Sequence, residues 1–463
     1  MARKSKHQTQ MLPEEWRAST TLAGVYALRM LGMFLVLPVL AVYAASLPGA
    51  EDNRALAGLA MGIYGLTQAL LQLPLGMASD RFGRKKVIYA GLVVFAAGSF
   101  LAASANSLEM LVAARALQGA GAVSAAVTAL LADLTRDEVR TRSMAMIGLS
   151  IGLTFSVSLV LSPVLSGWIG VKGLFLLTGL LTLLSIALIA FRTPDPQQSK
   201  LHEDAQAQTA KFGEVFKDRR LMSLNFGIFV LHCGMMALFT SLPFALIDLG
   251  LDKAEHWKVY LPATLAGLVL MVPAIIVGET RNKLKAVFVG GIALILAAVA
   301  VLAAGYENLW PIAAGLIVYF IGFNIIEASL PSMVSKIAPA KLKGTAMGVY
   351  NTLQSVGLFT GGVVGGRLLQ HAGFGAVFGF VAALTLLWLL IAVKTPAPKP
   401  VKNLAWGIGK TWQGRQEELH SALSALDGVE QIAFSADGAT VFVKALQKGF
   451  DEAAAAKIIS GAE

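Results

Sequence analysis

Residues 76–86 read GMASDRFGRKK, and this stretch decides the fold because of where it lies. It places one acid and four bases behind a glycine, between two long apolar runs. The chain otherwise avoids charge, since 56% of its residues are hydrophobic, 14% are charged, and the mean hydropathy is +0.67. Soluble domains carry about 25% charged residues. The composition therefore indicates an integral membrane protein with one unusually charged loop.

Apolar blocks of about twenty residues follow one another along the chain, the length that a helix needs to cross about 30 Å of hydrocarbon. The polar breaks between these blocks predict an all-α bundle of twelve membrane-spanning helices. The predicted spans are 18–46, 55–79, 86–105, 109–134, 141–168, 171–191, 219–248, 256–278, 285–304, 309–336, 343–370 and 374–393. The first run is too long for a secretory signal and lacks a convincing cleavage site, so we expect it to stay as an uncleaved anchor.

Lysine and arginine are shared unevenly between the connections. One set of alternate connections holds Arg81, Arg84, Lys85, Lys86, Arg136, Arg140, Arg142, Arg281, Lys283, Lys285, Lys336, Lys341 and Lys343. The other set holds only Arg54, Lys172, Lys253 and Lys258. Because bases near span ends favour the cytoplasm, we predict a multi-pass protein with both termini cytoplasmic. The same rule accounts for the net charge of +10, so we expect no nucleic-acid partner.

The longest polar break within the membrane region follows the sixth span and divides it into similar halves. LPLGMASDRFGRKKVIYAG (73–91) aligns with VPAIIVGETRNKLKAVFVG (272–290), and RTRSMAMIGLS (140–150) aligns with KLKGTAMGVYN (341–351). Two such matches at nearly equal offsets predict a duplicated six-helix unit, and paired repeats are typical of secondary transporters. The predicted units are a first half (1–192), a linker (193–218), a second half (219–394), a second linker (395–403) and a soluble cytoplasmic domain (404–463).

Residues 76–86 resemble the signature loop of the major facilitator superfamily, and R115-A-L-Q-G-A-G121 resembles the motif of its fourth helix. The resemblance covers roughly residues 15–395. The antiporter motif of the fifth helix appears only in part, because Ser162 precedes Pro163 where the family usually has glycine. With its C-terminal extension, the whole chain is similar to the bacterial YajR-type drug/proton antiporters, which implies a location in the bacterial inner membrane.

The charged loop is predicted to act as a conformational latch. A missing side chain at Gly76 permits close approach of a neighbouring helix. The resemblance implies that Asp80 faces the start of the eleventh span near Gly344 and is linked to Arg84 and Asp133, closing the cytoplasmic side while the cavity faces outward. The predicted latch residues are Gly76, Asp80, Arg81, Gly83, Arg84 and Asp133. Plain positive-inside charge is the alternative, and it explains Arg81 but not the two glycines and the aspartate at these spacings.

Four ionisable residues within the predicted spans are candidates for proton coupling. They are Glu327, Arg29, His232 and Arg115. An unpaired charge near mid-membrane costs at least about 2.5–3.5 kcal/mol, so such residues are functional candidates. We predict that Glu327 carries the proton, because desolvation disfavours its charged form and lets it load and unload. A permanent ion pair at Glu327 and a satisfied core histidine at His232 remain the alternatives.

Polar and aromatic residues on shared helical faces predict a partly polar substrate cavity. Its predicted lining comprises Tyr26, Phe34, Gln68, Gln72, Asn324, Phe320 and Phe323, with Phe229 and Phe239 as further aromatic walls. Phenylalanines at helical spacing also occur as simple packing, so this alternative stays open.

Enzymatic chemistry finds little support in the sequence. Cys233 is the only cysteine, so the chain can form neither an internal disulfide nor a cysteine-based metal cluster. No GxxxxGK[ST] phosphate-binding loop occurs. We therefore expect no enzyme and no cofactor, and an ion gradient as the energy source. The leading hypothesis is proton-coupled export of small amphipathic molecules across a lipid membrane. The alternatives are proton-driven uptake of a polar solute, and a sensor that signals through the C-terminal domain.

The C-terminal segment changes character after Lys394, where TPAPKPVKN predicts a stiff linker. VEQIAFS and ATVFVKA flank Asp437-Gly438, which is a hairpin signal. With a helix before them, a helix after them and NLAWGIG as a first strand, they predict a ferredoxin-like domain without its closing strand. No CxxC occurs, so we expect no metal there. A regulatory ligand or docking protein is the expected partner, and an inert appendage is the alternative.

Overall fold

The protein is described by a computed structural model that covers residues 11–50, 53–194, 212–281, 283–339, 342–396, 401–412, 414–434, 438, 440–446 and 449–460. The first half of the membrane region is helical throughout. Its helices are α1 (Pro13–Ala45), α2 (Arg54–Phe82), α3 (Arg84–Ala103), α4 (Leu108–Ala120), α5 (Ser124–Asp133) and α6 (Asp137–Arg192). A short helix of the linker, α7 (Phe212–Lys217), precedes the second half, whose helices are α8 (Arg219–Asp248), α9 (Trp257–Thr280), α10 (Leu284–Gly305), α11 (Leu309–Ile337) and α12 (Lys343–Lys394).

The prediction of twelve spans is confirmed. Ten segments of the described chain are long and apolar enough to cross a membrane, and two of them, Arg142–Arg192 and Gly344–Lys394, are 51 residues long. Each of these long segments contains one glycine with a positive φ, +69° at Gly170 and +73° at Gly373, which divides it into two spans. L-residues with side chains rarely adopt this conformation. The two turns occupy equivalent places in the halves, as a duplication requires.

The fourth span differs from its prediction as one continuous helix. It breaks between Ala120 and Ser124 into α4 and α5. The break lies where α3 approaches closely, since a Cβ on Gly121 would lie 2.5 Å from the carbonyl oxygen of Gly91. Broken helices are tolerated at membrane depth only where other protein groups satisfy the freed backbone.

The outer surface of the bundle carries large apolar side chains. Trp168, Phe191 and Trp310 are about four-fifths exposed and lie near helix ends. Aromatic side chains at span ends are typical of the interface between lipid and water. This surface is the one expected of a protein that is surrounded by lipid.

The two halves pack together at one end of the bundle. We call the end that holds residues 76–86 the latch end and the opposite end the far end. At the far end α2 packs closely on α12, because a Cβ on Gly58 would lie 2.3 Å from the carbonyl oxygen of Gly362. The side chain of Gln370 also accepts a hydrogen bond from the backbone of Ala55 at 2.9 Å. These contacts close the far end in this conformation.

The C-terminal domain combines three strands with two helices, which confirms the predicted α+β class. Its elements are β1 (Val401–Gly407), α13 (Gln416–Ser424), β2 (Val429–Phe434), β3 (Thr440–Leu446) and α14 (Glu452–Ser460). The sheet is antiparallel with the order β1-β3-β2. Leu419 and Leu423 of α13 are buried. The sheet starts at Val401, three residues before the predicted domain boundary, because β1 pairs with β3 from that residue onward.

This domain touches both halves of the bundle. β1 lies against α6 of the first half and against α11 of the second. The ammonium group of Lys444 donates to the carbonyl oxygens of Ile337 and Ala338 at 3.3 and 3.2 Å. A cation at this position stabilises the negative end of α11. The domain is therefore anchored at the latch end.

Candidate functional site

The charged loop forms a buried ion-pair cluster. The guanidinium of Arg84 donates through Nε to Oδ2 of Asp133 at 2.9 Å and through Nη1 to Oγ of Ser79 at 2.8 Å, and it also pairs with Asp80. The side chains of Arg84 and Asp133 are 1% and 0% exposed, while that of Asp80 is 32% exposed. The structure thus brings together three of the four charged residues of the predicted latch, and it adds Ser79, which sequence reasoning missed.

Two glycines permit this geometry. Gly83 joins α2 directly to α3 with φ +98°, a value that favours glycine. Gly76 allows α2 to approach α5, since a Cβ there would lie 3.1 Å from the Cβ of Ala125. Arg81 lies outside the cluster, where its guanidinium is 5.5 Å from the ring centroid of Phe82.

All members of this cluster lie in the first half of the bundle. In the described part of the chain, Arg84 is the ion-pair partner of Asp80, and no hydrogen bond joins Asp80 to α12. Movement between the halves can therefore leave the Arg84 pairs intact. The predicted contact of Asp80 with the eleventh span stays a prediction that concerns another conformation.

Arg29 fills the break between α4 and α5. It is 2% exposed and donates to Oγ of Ser124 at 3.1 Å, to the Tyr64 hydroxyl at 3.2 Å and to the carbonyl oxygen of Gly121 at 3.5 Å. Its guanidinium also lies 5.3 Å from the ring centroid of Phe95. No carboxylate pairs with Arg29 among the described residues. These contacts let Arg29 satisfy a free carbonyl at the end of a broken helix.

Arg115 belongs to the same polar cluster of the first half. It is 3% exposed, donates to Oε1 of Gln118 at 2.7 Å and lies 4.9 Å from the ring centroid of Tyr64. Gln118 in turn donates to Ser99 at 2.8 Å. The structure therefore places Arg29 and Arg115 together around Tyr64, and places neither in an ion pair with Glu327.

Aromatic rings meet between the halves near mid-bundle. Phe155 of α6, which sequence reasoning did not single out, has its ring centroid 5.0 Å from that of Phe34, 6.3 Å from that of Phe320 and 5.7 Å from that of Phe323. Three of the predicted cavity phenylalanines thus form one aromatic cluster around Phe155. A period-3.6 pattern cannot reveal such a contact, because its members come from three different helices.

Phe229 and Phe239 pack elsewhere. Phe239 is buried against Tyr260 of α9, with ring centroids 6.1 Å apart. Phe229 stacks on Phe226 of its own helix at 6.3 Å. Neither ring makes a ring contact with the Phe155 cluster in the described structure, and the ring contacts of both lie within the second half.

Glu327 lies one helical turn from Phe323 on the same face of α11, toward the latch end. Its side chain keeps 35% exposure, although its helix packs against α8, α9, α10 and α12. Oε2 of Glu327 is itself buried, without a hydrogen-bond partner in the described chain, and it lies 3.8 Å from Nε2 of His232. The side chain is therefore partly exposed, and its carboxyl group faces a titratable histidine rather than a permanent cation.

Two residues of α12 complete this cluster and were missed by sequence reasoning. Gln354 lies 2.7 Å from Nε2 of His232 through its amide nitrogen. Tyr350 is 3% exposed and interacts electrostatically with Glu327. A glutamine or tyrosine inside an apolar run was a detectable signal, although nothing in the spacing showed that either one faces α8.

The remaining predicted cavity residues are dispersed. Asn324 is buried and donates to the carbonyl oxygen of Phe320 of its own helix at 2.8 Å. Tyr26 and Gln72 are buried on α1 and α2, and Gln68 is half-buried. They lie on the helices that face the second half, but no contact in the described structure joins them to Glu327.

Comparison with known proteins agrees with this architecture. The sequence profile of the Major Facilitator Superfamily matches residues 22–362. The chain is 42% identical to the inner membrane transport protein YajR of Escherichia coli K12 over 434 residues, which cover 94% of this chain and 95% of that protein. It is 24% identical to multidrug resistance protein 1 of Bacillus subtilis over 380 residues, which cover 79% and 94% of the two chains.

Solved structures show the same fold at low sequence identity. The crystal structure of the human organic anion transporter MFSD10 (TETRAN) superposes with a TM-score of 0.63 and 19% identity, over 82% of this chain and all of that chain. The crystal structure of the nucleoside transporter NupG superposes with a TM-score of 0.65 and 14% identity, over 82% and 99%.

Proposed function

The chain belongs to the Major Facilitator Superfamily, and we propose that it exports small amphipathic molecules in exchange for protons. It is a membrane transporter with the relatives described above, and the similarity to multidrug resistance protein 1 supports an amphipathic substrate.

The observation that carries proton coupling is the carboxyl group of Glu327. Oε2 is buried without a hydrogen-bond partner in the described chain, while the side chain as a whole keeps 35% exposure. Burial without a cation partner disfavours the charged form, and access to water lets a proton enter and leave. A group in this position can be loaded in one conformation and unloaded in another.

The Phe155 cluster separates Glu327 from the far end. Its rings lie between the halves, and α2 packs on α12 beyond them. We propose that this conformation faces the cytoplasm, with the latch end on the cytoplasmic side as the distribution of lysine and arginine predicts. Substrate would then bind against the aromatic rings, whose apolar faces suit amphipathic molecules.

Flux measurements test this proposal. The purified full chain is reconstituted in proteoliposomes, and a panel of amphipathic fluorescent dyes is followed under an imposed pH gradient. We expect dye and protons to move in opposite directions. Movement of dye and protons in the same direction would indicate uptake instead. Dye movement that does not depend on the gradient would contradict proton coupling.

A further inference from the structure

The two ring nitrogens of His232 have different partners. Nδ1 lies 3.3 Å from the carbonyl oxygen of Ile228, one turn earlier on α8. A carbonyl only accepts, so Nδ1 carries a hydrogen. Nε2 lies 2.7 Å from the amide nitrogen of Gln354, which only donates. In this arrangement Nε2 offers its lone pair and the imidazole ring is neutral.

Glu327 lies beside the same nitrogen. Its Oε2 is 3.8 Å from Nε2 of His232. A single lone pair cannot accept from Gln354 and from a protonated Glu327 at once. The other titratable groups that interact with this cluster in the described chain are Tyr319, Tyr350 and Cys233. Phenols and thiols are ordinarily uncharged at neutral pH, and the donor from Gln354 holds His232 neutral, so the proposed change of charge is at Glu327.

Gln354 also stands next to the contact between the halves. The carbonyl oxygen of Ser355, the following residue of α12, would lie 2.5 Å from a Cβ on Gly65 of α2. Farther along the same face, Gly362 packs on Gly58 and Gly62. A change in the hydrogen bond of Gln354 therefore acts on the segment of α12 that closes the far end.

We propose that Gln354 is the positioning residue that couples the proton on Glu327 to the packing of α12 against α2. With Glu327 protonated, Gln354 donates to Nε2 of His232 and α12 stays packed on α2. When Glu327 releases its proton to water, its carboxylate becomes the stronger acceptor, and the amide of Gln354 turns from Nε2 of His232 to Oε2 of Glu327. This movement shifts the neighbouring Ser355 and releases α12 from α2. The inference rests on the proposed role of Glu327 as the proton carrier.

The test follows the far end directly and needs no substrate. Spin labels are attached to cysteines at exposed positions 48 and 372, on opposite halves, in the full-length protein with Cys233→Ala. The distance between the labels is measured as a function of pH. We expect the far end to open as the pH rises through one midpoint. Glu327→Gln mimics the protonated carboxyl group and should keep the far end closed throughout.

The variant Gln354→Leu tests whether Gln354 acts through its hydrogen bond or only through packing of its side chain. It leaves the lone pair of His232 free to accept from protonated Glu327, which stabilises the protonated state. The midpoint should therefore rise by about one pH unit, the equivalent of one hydrogen bond, and the amplitude of opening should fall. Gln354→Met keeps the length of the side chain but lacks the hydrogen-bond donor. It should raise the midpoint in the same way, and it replaces the leucine variant if that variant is unstable.

Thr360→Val is the matched control, because Thr360 lies on α12 and bonds only to the backbone of its own helix at 2.9 Å in the described structure. It should leave the midpoint unchanged. An unchanged midpoint in both Gln354 variants would overturn the inference and leave the proton site intact. Opening with pH in Glu327→Gln would instead overturn the proposed function. A far end that does not respond to pH in the unmodified protein would overturn both.

Discussion

Two clusters with carboxylates inside the bundle, those around Arg84 and around Glu327, differ in how completely their charges are paired. Around Arg84, two carboxylates and a hydroxyl surround one guanidinium, and the side chains of Arg84 and Asp133 are almost wholly buried. Around Glu327, the nearest basic group is a histidine at 3.8 Å, and one carboxyl oxygen is buried without a hydrogen bond in the described chain. The first cluster holds a fixed charge, and in the proposed mechanism the second exchanges a proton.

This difference predicts opposite phenotypes for neutralising each carboxylate. A paired buried charge supports the fold, so its removal leaves its partner uncompensated. An unpaired buried carboxyl group supports function, so its removal spares the fold or stabilises it.

The largest effect on transport is expected from Glu327→Gln. Since the amide cannot release a proton, transport driven by a pH gradient should fall to the background rate, while the melting temperature stays at or above that of the unmodified protein. Flux in proteoliposomes and thermal unfolding in detergent measure the two properties. Glu307→Gln, at an exposed position in the same half, is the matched control and should behave as the unmodified protein. Normal pH-driven flux in Glu327→Gln would exclude the carrier role.

The largest effect on stability is expected from Asp133→Asn. Breaking one partner of a buried pair costs about 3–5 kcal/mol, so the melting temperature in detergent should fall clearly. Asp80→Asn acts on a carboxylate that is 32% exposed and should cost about 1 kcal/mol or less. Equal melting temperatures of the two variants would show that the contribution of each carboxylate to stability does not depend on its burial.

The far-end contact between the halves gives the next prediction. A Cβ on Gly62 would lie 2.6 Å from the carbonyl oxygen of Phe359, so Gly62→Val should force α2 away from α12 and hold the far end open. Labelling of a cysteine introduced near the far end should become faster. Gly379→Val is the control, because nothing lies within 4 Å of its Cβ position. Unchanged labelling in Gly62→Val would show that the glycine contact does not close this end.

The smallest effect is expected from Lys444→Ala. Loss of its hydrogen bonds to the end of α11 should shift the ratio of conformations by about 1 kcal/mol, or about fivefold. Removal of residues 396–463 should change transport in the same direction while the bundle still inserts, because this segment contributes no span. Failure of the truncated chain to insert would show that the bundle depends on the domain.

The sequence predicted the spans and the charged loop well, for physical reasons. Lipid demands about twenty apolar residues per helix, so the blocks could be counted, and a charge inside such a chain is conspicuous. Contacts between helices were harder to predict. Phe155 and Gln354 became visible only when distant segments met, and Ser79 only when the turn at Gly83 brought Arg84 back to it. Arg29 stood out as a buried cation, but the break in the fourth span that it fills leaves no mark in the hydrophobic pattern.

The most direct test of the account is an infrared pH titration of the purified protein, comparing the unmodified chain with Glu327→Gln. The carboxyl C=O band of a protonated acid reports whether Glu327 gains and loses its proton. If Glu327 carries the proton, a protonated-carboxyl band should disappear with rising pH in the unmodified protein and should be missing from the variant. Identical difference spectra for the two proteins would contradict a titrating Glu327, and with it the proposed coupling mechanism.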